Sequence, residues 1–358
     1  MSSRLLIRAD ASARIGTGHV MRCLALAQAL QVHGQSHFLS VEITPALAAR
    51  VVAEGFASIS LAAAPGSLED ADTTIASARE HGVAWVVVDG YQFGADYQRR
   101  LKDAGLRVLF LDDYGHAGDY CADLVLNQNL SATVALYPQR SSHTRLLLGT
   151  RYALLRREFL VWRERQRKIP SVARKIIVTL GGADPDNVTS RVVEALAGLD
   201  VEARILVGGS NPHREQLKSA IRNPKSEIIV DAPNMPELMA WADVAVAAGG
   251  STSWELAFMG LPSLVLVLAH NQQGISAALG REGVSVALGW AEQMSPQSLQ
   301  AALQGLLLDK DRRRRMVGAG RALVDGEGSA RIVNFMKEKR TDVITPVVPQ
   351  DFPAATKT

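Results

Sequence analysis

The residues of this sequence whose types and spacing can do chemistry sit in short loops, each between an apolar run and a helical pattern. The first is Ile15-Gly16-Thr17-Gly18-His19. Its glycines, Gly16 and Gly18, let backbone N–H groups approach an anion, and the start of the following helix adds partial positive charge. Met21 stands where the dinucleotide fingerprint GxGxxG has its third glycine, which disfavours a dinucleotide. His19 has two readings: a packing or capping residue at the head of the helix's apolar face, or a general base at the mouth of a cleft. Asp10, close in sequence and just past the first strand, is the candidate to orient its ring or to bind a sugar.

Three further loops share this setting. Leu180-Gly181-Gly182-Ala183-Asp184-Pro185-Asp186-Asn187 opens its backbone to a phosphate or sugar at Gly181 and Gly182. Asp184 or Asp186 either meets that ligand or caps the next helix. In Ala248-Gly249-Gly250-Ser251-Thr252-Ser253-Trp254-Glu255, the N–H groups and hydroxyls of Gly250, Ser251 and Thr252 suit a diphosphate. Thr252 and Glu255 also spell a capping box, which competes with Glu255 accepting bonds from a ribose diol. Leu268-Ala269-His270-Asn271-Gln272-Gln273 carries amides, Asn271 and Gln272, that donate to sugar hydroxyls or phosphate oxygens. Asp89-Gly90-Tyr91 and Asp112-Asp113-Tyr114 end strands; acids there bind ligands or merely terminate strands and cap helices. Arg22, one turn into the first helix, and Tyr91 join the candidate substrate contacts.

Such loops need strand ends held side by side, and the rest of the chain supplies them. Apolar runs at 4–9, 36–40, 84–89, 107–112 and 123–127 read as buried parallel strands, with helical patterns such as 20–33 between them. The charged stretch 156–170 reads as a surface helix and linker, and Pro170-Ser171 marks a domain boundary. The pattern then restarts, with strands at 175–180, 203–207, 227–230, 243–248 and 263–268, and helices at 187–197, 236–241 and 253–259. Helices at 299–308, 310–324 and 330–339 close the chain. The alternation predicts an α/β protein with two parallel sheets, an N-terminal domain over 1–168, a C-terminal domain over 169–340 and a tail, 341–358.

Composition narrows the functional classes. With 358 residues, 47% of them hydrophobic, the chain can bury two cores. A net charge of +3 is too small to point to nucleic acid. Two cysteines without a CxxC pair suggest reduced thiols and a cytoplasmic setting, and no apolar run suits a signal peptide or a stable membrane insertion. HExxH, GxxxxGK[ST] and GxSxG are all absent, which disfavours a zinc protease, a P-loop nucleotide triphosphatase and the usual serine hydrolase.

Taken together, the loops resemble one family. RADASARIGTGHVMRCLALAQAL is similar to the N-terminal signature of the UDP-2,4-diacetamido-2,4,6-trideoxy-β-L-altropyranose hydrolases of pseudaminic acid biosynthesis, which have relatives in spore-coat polysaccharide synthesis. VVVDGYQFGADY, VLFLDDYGHAGDYCADLVLNQN and VTLGGADPDN fit the same pattern. AAGGSTSWELAFMGLPSLVLVLAHNQ is similar both to that family and to the N-acetylglucosaminyl transferase that forms lipid II. The resemblance runs over residues 4–335 and implies a glycosyltransferase-B-type fold: two Rossmann-like domains, UDP mainly on the C-terminal one and the sugar reaching the N-terminal one across the cleft. It implies that His19 activates water, and that Gly250, Ser251, Thr252, Glu255 and Asn271 contact the sugar nucleotide. The expected partner is a UDP-sugar and the expected reaction its hydrolysis at the anomeric carbon, with no cofactor or metal required. The alternatives are a glycosyltransferase on the same fold and a non-catalytic sugar-nucleotide-binding protein; the intact glycines and His19 weigh against the latter.

Overall fold

Strands rich in Val, Ile and Leu on both faces need cover on both faces, and the intervening helices provide it. The structure, a computed structural model, describes residues 4–12, 15–30, 36–182, 184–209 and 211–338. The first half contains β1 (Leu5–Ala9), β2 (Ser36–Ser40), β3 (Ala57–Ser60), β4 (Trp85–Asp89), β5 (Arg107–Leu111), β6 (Asp119–Tyr120), β7 (Leu124–Asn127), β8 (Gln139–Arg140) and β9 (Arg145–Leu148). Seven of these form one parallel sheet in the order β3-β2-β1-β4-β5-β7-β9, and β6 pairs with β8. The second half contains β10 (Lys175–Thr179), β11 (Glu202–Val207), β12 (Ser226–Val230), β13 (Val244–Ala248), β14 (Ser263–Val267) and β15 (Ser285–Trp290), a parallel sheet in the order β12-β11-β10-β13-β14-β15.

The protein is thus α/β with two Rossmann-like halves, as the alternation predicts. Each sheet reverses its strand order once, between β1 and β4 in the first and between β10 and β13 in the second. Chains leaving the strand ends at such a reversal run to opposite faces and open a crevice. The loop at 15–19 follows β1, the loop at 180–187 follows β10 and the loop at 249–252 follows β13. Three of the four sequence-selected loops therefore stand at reversal points.

The strands of the two large sheets that the pattern does not reveal have a common cause. β3, β9 and β15 are all sheet edges. β3 has no fully buried residue, and β15 alternates between covered and exposed positions, so neither shows a continuous apolar run.

The charged stretch 156–170 differs from expectation. Its helix is a single turn, Arg157–Leu160, anchored by the buried Phe159. Beyond it Arg167 donates to the carbonyls of Met239 (2.7 Å) and Met259 (3.3 Å), at the C-terminal ends of the helices Met235–Trp241 and Thr252–Phe258. Carbonyls at helix ends have no intrahelical donor, and Arg167 supplies one to each.

The closing helix, Gly328–Lys337, returns to the first sheet. Its Ile332, Val333 and Met336 share a core with Leu5, Ile7 and Trp85, and Trp85 Nε1 donates to the Met336 carbonyl at 3.0 Å. Gly328 makes this return possible: a Cβ there would lie 2.2 Å from the Ala153 carbonyl oxygen. The first helix is Gly18–Leu30. Residues 31–33 of its expected extent, Lys339 of the closing helix and the tail 341–358 lie outside the described residues. No helix among the described residues is long and apolar enough to cross a membrane.

Candidate active site

The two reversal points face each other. A Cβ on Gly18 would stand 3.7 Å from Ser251 Oγ, and one on Gly182 would stand 3.5 Å from Thr17 Cγ2, so three glycine loops meet with little between them. Beside this meeting point is a cavity of about 510 Å³, lined by Asp10, Gly16, His19, Tyr91, Gly181, Gly182, Asp184, Asn271 and Gln272. A smaller space of about 200 Å³ adjoins it, lined by Gly18, Arg22, Asp113, Asn129, Gly250, Ser251 and Thr252. The larger volume is in the range of small-molecule sites.

At the centre His19 is 7% exposed, and its Nδ1 lies 2.6 Å from Asp89 Oδ1. Burial alone would raise the Asp89 carboxyl, but the charges and hydrogen bonds of Arg22 and His19 outweigh it and hold the group well below the usual carboxylate range. An ionised carboxylate only accepts, so Nδ1 carries the proton. Nε2 is then the basic nitrogen of a ring that lines both spaces.

Arg22, one turn after His19, forks onto Asp89 with Nε to Oδ2 and Nη2 to Oδ1, both at 2.6 Å. Its Nη1 donates to Asp113 Oδ1 at 2.8 Å. Asp113 Oδ2 accepts from Tyr91 OH at 2.7 Å, and Tyr91 OH accepts from Asn271 Nδ2 at 2.7 Å. Asn271 lies in the first turn of the helix His270–Arg281 of the second half. An unbroken hydrogen-bond chain thus runs from the second sheet's loop to the His19 ring. Burial, with the Asp113 charge, pushes the Tyr91 phenol up and keeps it neutral.

Asp10 does not orient His19. It accepts from Arg8 Nη1 (2.7 Å), Val41 N (2.7 Å) and Gln92 Nε2 (3.0 Å) and stands on the cavity wall. Strand parity explains the exchange. Leu5, Ile7, Trp85 and Val87 share a core with Val20 and Cys23 of the first helix, whereas Leu6, Val86 and Val88 belong to the core on the other face. Side chains alternate faces along a strand. Asp89 continues the register of Trp85 and Val87, while Asp10 continues that of Leu6 and Arg8. The pairing of Ala9 with Asp89 across β1 and β4 then brings Asp89 level with the end of β1, beside the first helix.

Two other expectations change. Thr252 is the first residue of its helix, and no side chain caps it, so the Thr252–Glu255 box does not form. Glu255 instead takes Arg156 Nη2 at 2.9 Å. Burial raises the Glu255 carboxyl, a rise that Arg156 offsets only in part. Asp184 adopts the capping alternative: its two oxygens accept from Val188 N and Thr189 N, each at 2.9 Å. That helix end is already neutralised, whereas the Ser251 end is open. Asp184→Ala should therefore lower stability by about 1 kcal/mol, read as an earlier urea midpoint with an unchanged slope; a stability equal to wild type would remove the capping assignment. Gln272 Oε1 accepts from Leu268 N at 2.9 Å, which fixes the fourth loop.

The fold is of the glycosyltransferase-B type. Residues 176–324 match the family described as the glycosyltransferase family 28 C-terminal domain. The spore coat polysaccharide biosynthesis protein SpsG of Bacillus subtilis is 27% identical over 236 residues, 64% of this chain and 69% of that protein. The UDP-2,4-diacetamido-2,4,6-trideoxy-beta-L-altropyranose hydrolase of Campylobacter jejuni is 23% identical over 286 residues, 79% of this chain and 98% of that protein. Among solved structures, the spinosyn rhamnosyltransferase SpnG with thymidine diphosphate superposes with a TM-score of 0.66 at 17% identity, over 94% of this chain and 100% of that one. The chain is therefore a glycosyltransferase-B-type protein, similar in sequence to sugar-nucleotide enzymes and to a polysaccharide-biosynthesis protein.

Proposed function

We propose that the protein hydrolyses a UDP-sugar at its anomeric carbon, with a 2,4-diacetamido-2,4,6-trideoxyhexose as the sugar, in pseudaminic-acid-type biosynthesis. The observation that carries this reading is the His19–Asp89 pair, set where the two reversal crevices meet and facing the open loops across the cleft. Water on the far side of the anomeric carbon gives a proton to His19 Nε2 as its oxygen bonds to carbon. The carbon–oxygen bond to UDP breaks, and the electron pair leaves on the diphosphate. Asp89 stabilises the imidazolium that forms. N–H groups and hydroxyls at 250–252 receive the growing negative charge of the leaving group. Displacement in one step inverts the anomeric centre.

The UDP side has its own test. Ser251→Asp removes no cap bond, since the Ser251 side chain makes none, and places a carboxylate where the diphosphate is expected. UDP affinity by calorimetry should fall about tenfold or more, roughly 1.4 kcal/mol. Wild-type affinity would move the diphosphate elsewhere.

The deciding experiment is release of UDP and free sugar from the altropyranose nucleotide with no acceptor present. Rapid release supports hydrolysis. A transferase is favoured by the match of residues 176–324 to a glycosyltransferase family. In that case an acceptor hydroxyl replaces water at His19, and UDP binds but is released only once an acceptor is added.

A further inference from the structure

Asp113 has no part in the scheme above, yet its side chain is only 8% exposed and holds both Arg22 and Tyr91. Arg22 Nη2 comes within 3.5 Å of His19 Nδ1, close enough for its positive charge to act on the ring. With a neutral ring, the buried set of Asp89, Arg22 and Asp113 carries one net negative charge. After the ring takes a proton the set with His19 is neutral. Without Asp113 the same steps run from neutral to net positive in a buried site, which is costly.

We infer that Asp113 is a positioning residue that offsets Arg22, so that Asp89 presents a net negative charge to the His19 ring. This rests on His19 being the base. Titratable groups surround the ring on several elements. From its own helix come Arg22 and the Cys23 thiol, which burial and Asp89 keep protonated. From the end of β4 come Asp89 and the Tyr91 ring, edge-on at 5.0 Å. Asp113 acts from the end of β5 through Arg22. Asp10, Glu42, Asp184 and Asp186 line the cavity; Asp10 is spent on Arg8 and Asp184 on its helix.

The test compares wild type, Asp113→Asn, Asp113→Glu and Arg22→Gln. The His19 ring is titrated by NMR in the free protein, with its signal assigned by absence in His19→Asn, and the acid limb of kcat/KM is measured beside it. Asp113→Asn should move the titration to lower pH by about one unit, and Arg22→Gln should move it to higher pH by a similar amount. Asp113→Glu, which keeps the charge, should return it to the wild-type position. An unmoved titration in Asp113→Asn, or a shift of the same sign in Asp113→Asn and Arg22→Gln, overturns the inference. A hydrolysis rate indifferent to His19→Asn defeats the catalytic reading instead, and the NMR titration keeps the two failures apart.

Discussion

His19→Asn should lose between about a hundredfold and ten-thousandfold in kcat, the usual weight of a positioned general base, while UDP affinity stays at the wild-type value. Asparagine is chosen because its amide still donates to Asp89 and sits in the same buried site, so the variant removes the basic nitrogen and little else. The assay is single-turnover UDP release beside UDP calorimetry. A variant that keeps a tenth or more of the rate would show that His19 only shapes the cleft. Loss of rate together with loss of UDP binding would show damage to the nucleotide site rather than to the chemistry.

Asp89→Asn should be nearly as severe for a different reason. An amide at position 89 can donate to the ring and select the wrong tautomer, leaving Nε2 protonated and useless as a base. A loss on the order of a thousandfold in kcat is expected. The fold also suffers, because Asp89 is fully buried and Arg22 loses its two-pronged partner. Breaking a buried pair by removing one member costs about 3–5 kcal/mol.

The pH dependence of that loss has a definite sign. Asp89 is depressed in the folded protein, so its contribution is complete above the unfolded carboxyl value, about 4, and declines as pH falls toward the folded one. Urea unfolding of wild type and Asp89→Asn should show a constant gap from pH 5 to 7 (roughly the plateau expected from linkage) and a narrower gap below about pH 4. A gap that widens on acidification would contradict the assigned charge state.

The glycine loops were legible because their signal is local: two or three residues between an apolar run and a helix announce an open strand end. His19 was legible for the same reason, as it shares a loop with Gly16 and Gly18. Its partner was not, because Asp89 is 70 positions away and meets the ring only through the pairing of β1 with β4. Sequence proximity favoured Asp10, and strand alternation turns that residue to the opposite face. Arg22 was a candidate ligand contact by motif, but its clamp on Asp89 and Asp113 depends on the ends of two further strands. Asn129, which donates to Asp113 Oδ1 at 3.1 Å, lies beyond β7 and has no local signature that separates it from a turn residue. The edge strands escaped because exposure breaks the apolar run that marks a central strand.

The return of the helix Gly328–Lys337 alters how the two halves are to be regarded as modules. Among the described residues the path runs through the first half, builds the second and returns to the first with Gly328–Lys337, so the second is topologically inserted within the first. The two crossings run together: Arg163 on the outward path pairs with Glu327 on the way back. The family match stops at residue 324, just short of the returning helix. The unit that recombination can exchange without emptying the first core is therefore the inserted block alone, and a cut that carried the last helix away with it would strip Ile332, Val333 and Met336 from the half that holds His19.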